Sequence, residues 1–126
     1  MTTLSERIMQ YDDGVINNPY QGKDKKVVFV CSAGILRSAT AARIYAHKYN
    51  TRSAGSEDYA LIPLTEQLML WADEVVFVNL YNYQRIAEII DFDEFDCTVK
   101  VLDIPDEHGH MAPELIQAFK DQYEDF

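Results

Sequence analysis

The chain has 126 residues, a formal net charge of −10, nearly half apolar residues and two cysteines. That length implies a single domain over residues 1–126 with a core that stands without metal or disulfide staples, residues 1–25 forming an arm ahead of the first strand. The acidic balance excludes a nucleic-acid backbone or an anionic membrane as main partner, and two distant cysteines with no membrane-length apolar run or export signal imply a soluble, cytoplasmic protein.

In chain order, Leu4, Ile8 and Met9 are spaced as a short amphipathic helix, and Gly14, Asn17-Asn18-Pro19 and Gly22 mark turns, so the arm reads as a helix and a loop packed on the domain surface. Val27-Val28-Phe29-Val30 is a buried strand that stops at Cys31. Ser38 to Tyr49 is an alanine-rich helix stopped by Asn50. Between them Ser32, Ala33, Gly34, Ile35, Leu36, Arg37 and Ser38 form a loop opening onto a helix start. Unpaired backbone N–H groups and the positive end of the helix dipole converge there beside the sulfur.

Thr51 to Ala54 followed by Gly55 reads as a second strand and a turn. Pro63 begins a helix carrying Leu64, Leu68 and Trp71 or Ala72, and Glu74 to Val78 is the third strand. Asn79 or Asn82 caps a helix bearing Ile86, Ile89 and Ile90; residues 91–96 form an acidic loop, and Thr98 to Leu102 is the fourth strand. Asp103 to Ala112 is a loop, and Pro113 starts a last helix with Leu115, Ile116, Phe119 and Tyr123 on one face. This alternation predicts a parallel sheet with helices on both faces, whose ligand crevice lies beyond the carboxyl ends of the strands, where the Cys31 loop falls.

The chemistry of the loop is that of anion capture and thiol attack. A helix N-terminus and a neighbouring cation both favour a thiolate over a thiol, which suits Cys31 to act as a nucleophile. The N–H groups of Ser32 to Arg37 can cradle a phosphate, the Arg37 guanidinium matches two of its oxygens, and Ser38 can donate to the departing sulfur.

Cys31-x-x-x-x-x-Arg37-Ser38 matches the Cys-x-x-x-x-x-Arg-Ser/Thr signature of protein tyrosine phosphatases. Its place near the start of a short α/β chain resembles the low-molecular-weight family, in particular a short branch of predicted phosphatases from bacteria and phages. Ser53-Ala54-Gly55-Ser56 looks like the family's Ser-Ala-Gly-Thr segment, which buttresses the loop. Asp103-Ile104-Pro105-Asp106 is similar to its late Ile-Pro-Asp-Pro segment, which carries the general acid, here Asp106. The resemblance implies a three-layer α/β/α fold with a four-stranded parallel sheet in order 2-1-3-4, and catalysis by Cys31, Arg37 and Asp106 without a cofactor or metal.

The chain departs from the family pattern at several positions. Ala33, Gly34 and Leu36 stand where the family commonly has glycine, asparagine and a second cysteine, and Glu107 stands where a proline follows the acid. The family's two tyrosines after the acid are missing, so Tyr59, Tyr81 and Tyr83 become the candidates for an aromatic wall. His108 and His110 are read as a solvated loop, not a metal pair, His47 as a helix residue, and Cys97 as a buried cysteine at the edge of a strand. Three functions stay open: a phosphatase acting on a phosphotyrosine protein or small aryl phosphate, a thiol-dependent arsenate reductase, which needs resolving cysteines beyond Cys97, and a phosphate-binding module without turnover.

Overall fold

A computed structural model describes residues 22–124, so the expected arm helix at Leu4, Ile8 and Met9 lies outside the described residues. Four strands, β1 (Lys26–Cys31), β2 (Asn50–Gly55), β3 (Glu74–Phe77) and β4 (Thr98–Val101), form one parallel sheet in the order β2-β1-β3-β4. Helices α1 (Arg37–Ile44), α2 (Glu66–Trp71), α3 (Leu80–Ala87) and α4 (Pro113–Gln122) alternate with the strands. The three-layer α/β/α arrangement expected from the sequence is the one observed.

The runs of β-branched residues explain the central position of β1 and β3, since a strand covered on both faces must be apolar at every position. Val27 through Cys31 and Glu74 through Phe77 are all buried. Alternate residues of β1 serve opposite cores. Val27, Phe29 and Cys31 face α1 and α4 and pack with Tyr45, Leu115, Phe119 and Tyr123. Val28 and Val30 face α2 and α3 and pack with Leu68, Met69, Ile86 and Ile90. Among the described residues no helix is long and apolar enough to cross a membrane.

Three boundaries differ from the sequence reading, each because a tertiary contact overrides a local signal. The first helix ends at Ile44, not Tyr49: Tyr45 enters the core against Phe29 and Tyr123, the chain turns, and Thr51 Oγ1 donates to the Ala42 carbonyl near the helix end at 2.7 Å. Asn50 is therefore no stop; it opens β2, with its N–H bonded to the Lys25 carbonyl. Pro63 does not begin a helix, because residues 62–64 run beside Gly55 as a parallel bridge. The helix starts after Thr65, whose hydroxyl accepts from the Leu68 N–H.

At the amino-terminal end of β3, opposite the Cys31 end of the sheet, Glu74 is buried. Its carboxylate meets Lys100 at 2.9 Å, Lys25 at 3.3 Å and the Tyr123 hydroxyl, which ties α4 to the sheet. Burial is the largest single influence and opposes ionisation, but the bonds from Tyr123 and Lys100 and the charges of Lys25 and Lys100 together hold this carboxyl below its usual range. A carboxyl lowered by folding adds stability that is fully present above its unfolded value of about 4.3 and is lost as pH falls through the folded value. The melting temperature should therefore drop on acidification below about pH 4.3, and Glu74→Gln should lower it at neutral pH while flattening that acid limb. An acid limb unchanged in Glu74→Gln would assign the loss to other carboxylates.

Candidate active site

Cys31 is the last residue of β1, and the chain beyond it must turn back onto the helical layer within five residues. Gly34 makes this possible. Its φ of +79° lies in the left-handed region that side chains disfavour, and a Cβ there would stand 2.8 Å from the Ala54 backbone. Gly55 serves from the opposite side, because a Cβ on it would meet Ala60 at 2.3 Å and the Ser32 carbonyl at 2.6 Å. The segment Ser53-Ala54-Gly55-Ser56 thus packs directly under the loop.

Hydrogen bonds from that segment fix which way the loop's peptide groups face. The carbonyls of Cys31, Ser32 and Gly34 accept bonds from the Ser56 N–H at 2.7 Å, the Glu57 N–H at 3.2 Å and the Ser53 hydroxyl at 3.2 Å. In a trans peptide the N–H points opposite to the C=O. The N–H groups of Ser32, Ala33 and Ile35 therefore face away from the β2 segment. The first turn of α1 adds further N–H groups without intrahelical partners, with no side-chain cap on Leu36 and no acidic residue in that turn.

The sulfur sits inside this turn. Cys31 Sγ accepts the Gly34 N–H at 3.2 Å and lies 3.1 Å from the buried Ser38 hydroxyl. Arg37 is also buried, donating to the Ile104 carbonyl at 3.0 Å and to Ser32 Oγ at 3.4 Å, while its Nε lies 3.8 Å from Asp106 Oδ1. One guanidinium thus joins the loop after β1 to the loop after β4 and brings Cys31, Arg37, Ser38 and Asp106 to one mouth. Ile35 and Leu36 are exposed on its outer side.

The loop after β4 is pinned at both ends, with Arg37 reaching Ile104 and Asp106 between them. Gln122 clamps Asp103 by its backbone, accepting the N–H at 2.6 Å and donating to the carbonyl at 2.9 Å. At the far end, Thr40 Oγ1 accepts the N–H of Met111, whose φ of 62° is unusual for a side-chain-bearing residue. Pro105, Asp106 and Glu107 between these anchors are exposed. Asp103 is exposed and held through its backbone by α4, and it is the Ile104 carbonyl that links this loop to Arg37.

The remaining candidates fall out differently. Tyr59 and Tyr81 are exposed at the carboxyl edge of the sheet. Tyr83 is a packing ring, stacked on Phe92 and edge-on to Phe77. His47 is exposed, His108 half-buried and His110 exposed. Among the described residues no group of three or more His, Cys, Asp or Glu is placed to hold a metal ion.

Two side-chain systems at the mouth were not read from the sequence. Asn82, fully buried, donates to Ser32 Oγ at 3.1 Å and Ser56 Oγ at 3.0 Å, joining the loops after β1, β2 and β3. Asn79, not Asn82, caps α3. The available signal was its spacing: Asn82 lies four and eight residues before Ile86 and Ile90, on the apolar face of the helix. Beside it, buried Glu57 accepts from the Tyr81 hydroxyl and pairs with Arg85 at 3.0 Å, and these two, Tyr81 first, hold its carboxyl below the ordinary range.

Cys97, expected to be buried, is only half-buried, because it precedes β4, the edge strand, at the opposite end of the sheet. The strand register puts it about five residues, roughly 16 Å, from Cys31 along the strand direction and two strands across, on the order of 10 Å more. A disulfide requires Cα atoms within about 7 Å. With Leu36, not a thiol, in the loop, peroxide treatment is expected to drive Cys31 past sulfenic acid to forms that dithiothreitol does not reverse. Full recovery with a Cys31–Cys97 bridge by mass spectrometry would contradict this.

Fold and loop together define a class: a parallel α/β protein with a cysteine-bearing loop at the carboxyl edge of its sheet. Among known proteins, no family model, no curated protein and no solved structure matches the chain.

Proposed function

We propose that the chain is a cysteine-dependent phosphomonoesterase, a compact relative of the low-molecular-weight protein tyrosine phosphatases, acting on phosphotyrosine in protein or on small aryl phosphates. The observation that carries this reading is the meeting of Cys31 Sγ, the Ser38 hydroxyl, the Arg37 guanidinium and Asp106 at one mouth, with loop N–H groups facing away from the β2 segment. Gly34, which stands where the family commonly has asparagine, has a left-handed φ of +79°, a conformation that glycine and, among side-chain-bearing residues, asparagine adopt most readily.

The reaction has two steps. The Cys31 thiolate attacks phosphorus, forming an S–P bond as the P–O bond to the aryl group breaks, and Asp106 gives its proton to the departing phenolate. Arg37 and the loop N–H groups hold the equatorial oxygens where negative charge concentrates. Water then attacks phosphorus, Asp106 takes its proton, and the S–P bond breaks to return the thiolate and release phosphate. The Ser38 hydroxyl, 3.1 Å from the sulfur, stabilises the thiolate at both ends of the cycle.

The test is turnover of p-nitrophenyl phosphate and of arsenate by wild type, with Cys31→Ser as control. Hydrolysis that depends on Cys31, without arsenate reduction, is expected. Thiol-dependent arsenate reduction would favour the reductase reading, which the position of Cys97 at the far end of the sheet does not support. Phosphate binding without turnover would leave a binding module.

A further inference from the structure

Nine large apolar side chains are exposed among the described residues, and seven of them follow β1, β2 and β3 at the carboxyl edge of the sheet. Ile35 and Leu36 belong to the Cys31 loop; Tyr59, Leu61 and Ile62 follow β2; Leu80 and Tyr81 open α3. Leu61 is 84% exposed and Leu80 54%. Singly exposed apolar residues are ordinary on a protein surface, but a concentration of them on adjoining loops marks a contact surface.

Hydrogen bonds already described place these loops around one mouth. The Glu57 N–H bonds to the Ser32 carbonyl, the Tyr81 hydroxyl bonds to Glu57, and Asn82 bonds to both Ser32 and Ser56. The layers set the sides. The loops after β2 and β3 lead to the face covered by α2 and α3, whereas the Asp106 loop leads to α4 on the other face. A phosphate held by Cys31 and Arg37 would have Asp106 on one side and Tyr59, Leu61, Ile62, Leu80 and Tyr81 on the other, with Ile35 and Leu36 on the loop between them.

We propose that this rim docks the polypeptide carrying the phosphorylated side chain, selecting segments with bulky apolar residues beside it. The inference rests on the phosphomonoesterase reading. The extent of the rim argues for a polypeptide: one aryl ring covers one or two of these side chains, and the rest need neighbours of the phosphorylated residue to cover them. Charge sets the kind of polypeptide. Exposed Asp58, Asp106 and Glu107 flank the mouth of a chain of net charge −10, so acidic neighbours are repelled.

The experiment is calorimetric titration of the full-length Cys31→Ser protein, which lacks the nucleophile and so separates binding from turnover. The probes are inorganic phosphate and three phosphotyrosine peptides flanked by leucine and isoleucine, by glycine and serine, or by aspartate and glutamate. The apolar-flanked peptide should bind about tenfold more tightly than the glycine-serine one, as burial of one or two side chains implies, and the acidic one most weakly. Adding Leu61→Ser and Leu80→Ser, both at exposed positions where folding is not at stake, should remove the apolar advantage. Phosphate binding with no preference among the peptides would overturn the docking claim alone. No phosphate binding would overturn the site reading and the docking claim with it. A concentration-dependent dimer in sedimentation that dissociates in the Leu61→Ser, Leu80→Ser protein would assign the rim to a second copy of the chain and also overturn the proposal.

Discussion

Cys31→Ser should reduce hydrolysis of aryl phosphates by about 10⁴-fold or more while leaving anion binding in place. The substitution removes the nucleophile but not the cradle, because a serine Oγ can still accept the Gly34 N–H and pair with the Ser38 hydroxyl that now meet the sulfur. Phosphate or vanadate should still raise the melting temperature of the variant. An anion at 100 times its dissociation constant adds about 2.7 kcal/mol, a readily measured shift. Absence of any shift at saturating anion, in wild type and variant alike, would mean that the Cys31 loop is not an anion site.

The second large effect is expected at Asp106. A general acid contributes about 10²–10⁴-fold, and its contribution grows with the basicity of the leaving group. Asp106→Asn should therefore slow phosphotyrosine turnover strongly, since its phenol has a pKa near 10, and slow an activated aryl phosphate only mildly. Asp103 supplies the contrast. Its backbone is clamped by Gln122 and its carboxylate is exposed, so Asp103→Asn should cost a few-fold at most and show no dependence on leaving group. A plot of log turnover against leaving-group pKa should steepen for Asp106→Asn alone. Steepening for Asp103→Asn instead would reverse the assignment, and steepening for neither would pass the role to another group, with half-buried His108 next in sequence.

The central strands were legible because a strand buried on both faces leaves an unbroken apolar run, and Val27–Val30 and Val75–Phe77 are such runs. The position of the Cys31 loop followed from them. The end of α1 was not legible. Nothing local in the alanine-rich segment 38–49 tells that Tyr45 will turn into the core, or that Asn50 will pair with the Lys25 carbonyl; both are contacts with residues distant in sequence. Pro63 misled for the same reason, since its preference for a first helical turn yields to a bridge with Gly55.

At the site, the residues with distinctive chemistry, Cys31, Arg37 and Asp106, could be named from spacing and resemblance, and the structure brings them together. The residues that hold the loops to one another could not. Thr40, Asn82 and Gln122 are ordinary polar residues whose role arises only when three or four loops converge at one edge of the sheet. Asn82 alone left a trace, as a polar residue on an apolar helical stripe. The exposed leucines and isoleucines of the rim left none, because exposure of a short apolar residue in a loop is not written in its neighbours.

The most direct test of phosphoryl transfer through Cys31 is rapid acid quench of wild type turning over an aryl phosphate, followed by mass spectrometry of the peptide containing Cys31. The account predicts one added phosphoryl group on Cys31, trapped in proportion to enzyme and absent from Cys31→Ser. Full turnover with no such adduct, or turnover that persists in Cys31→Ser, would contradict it.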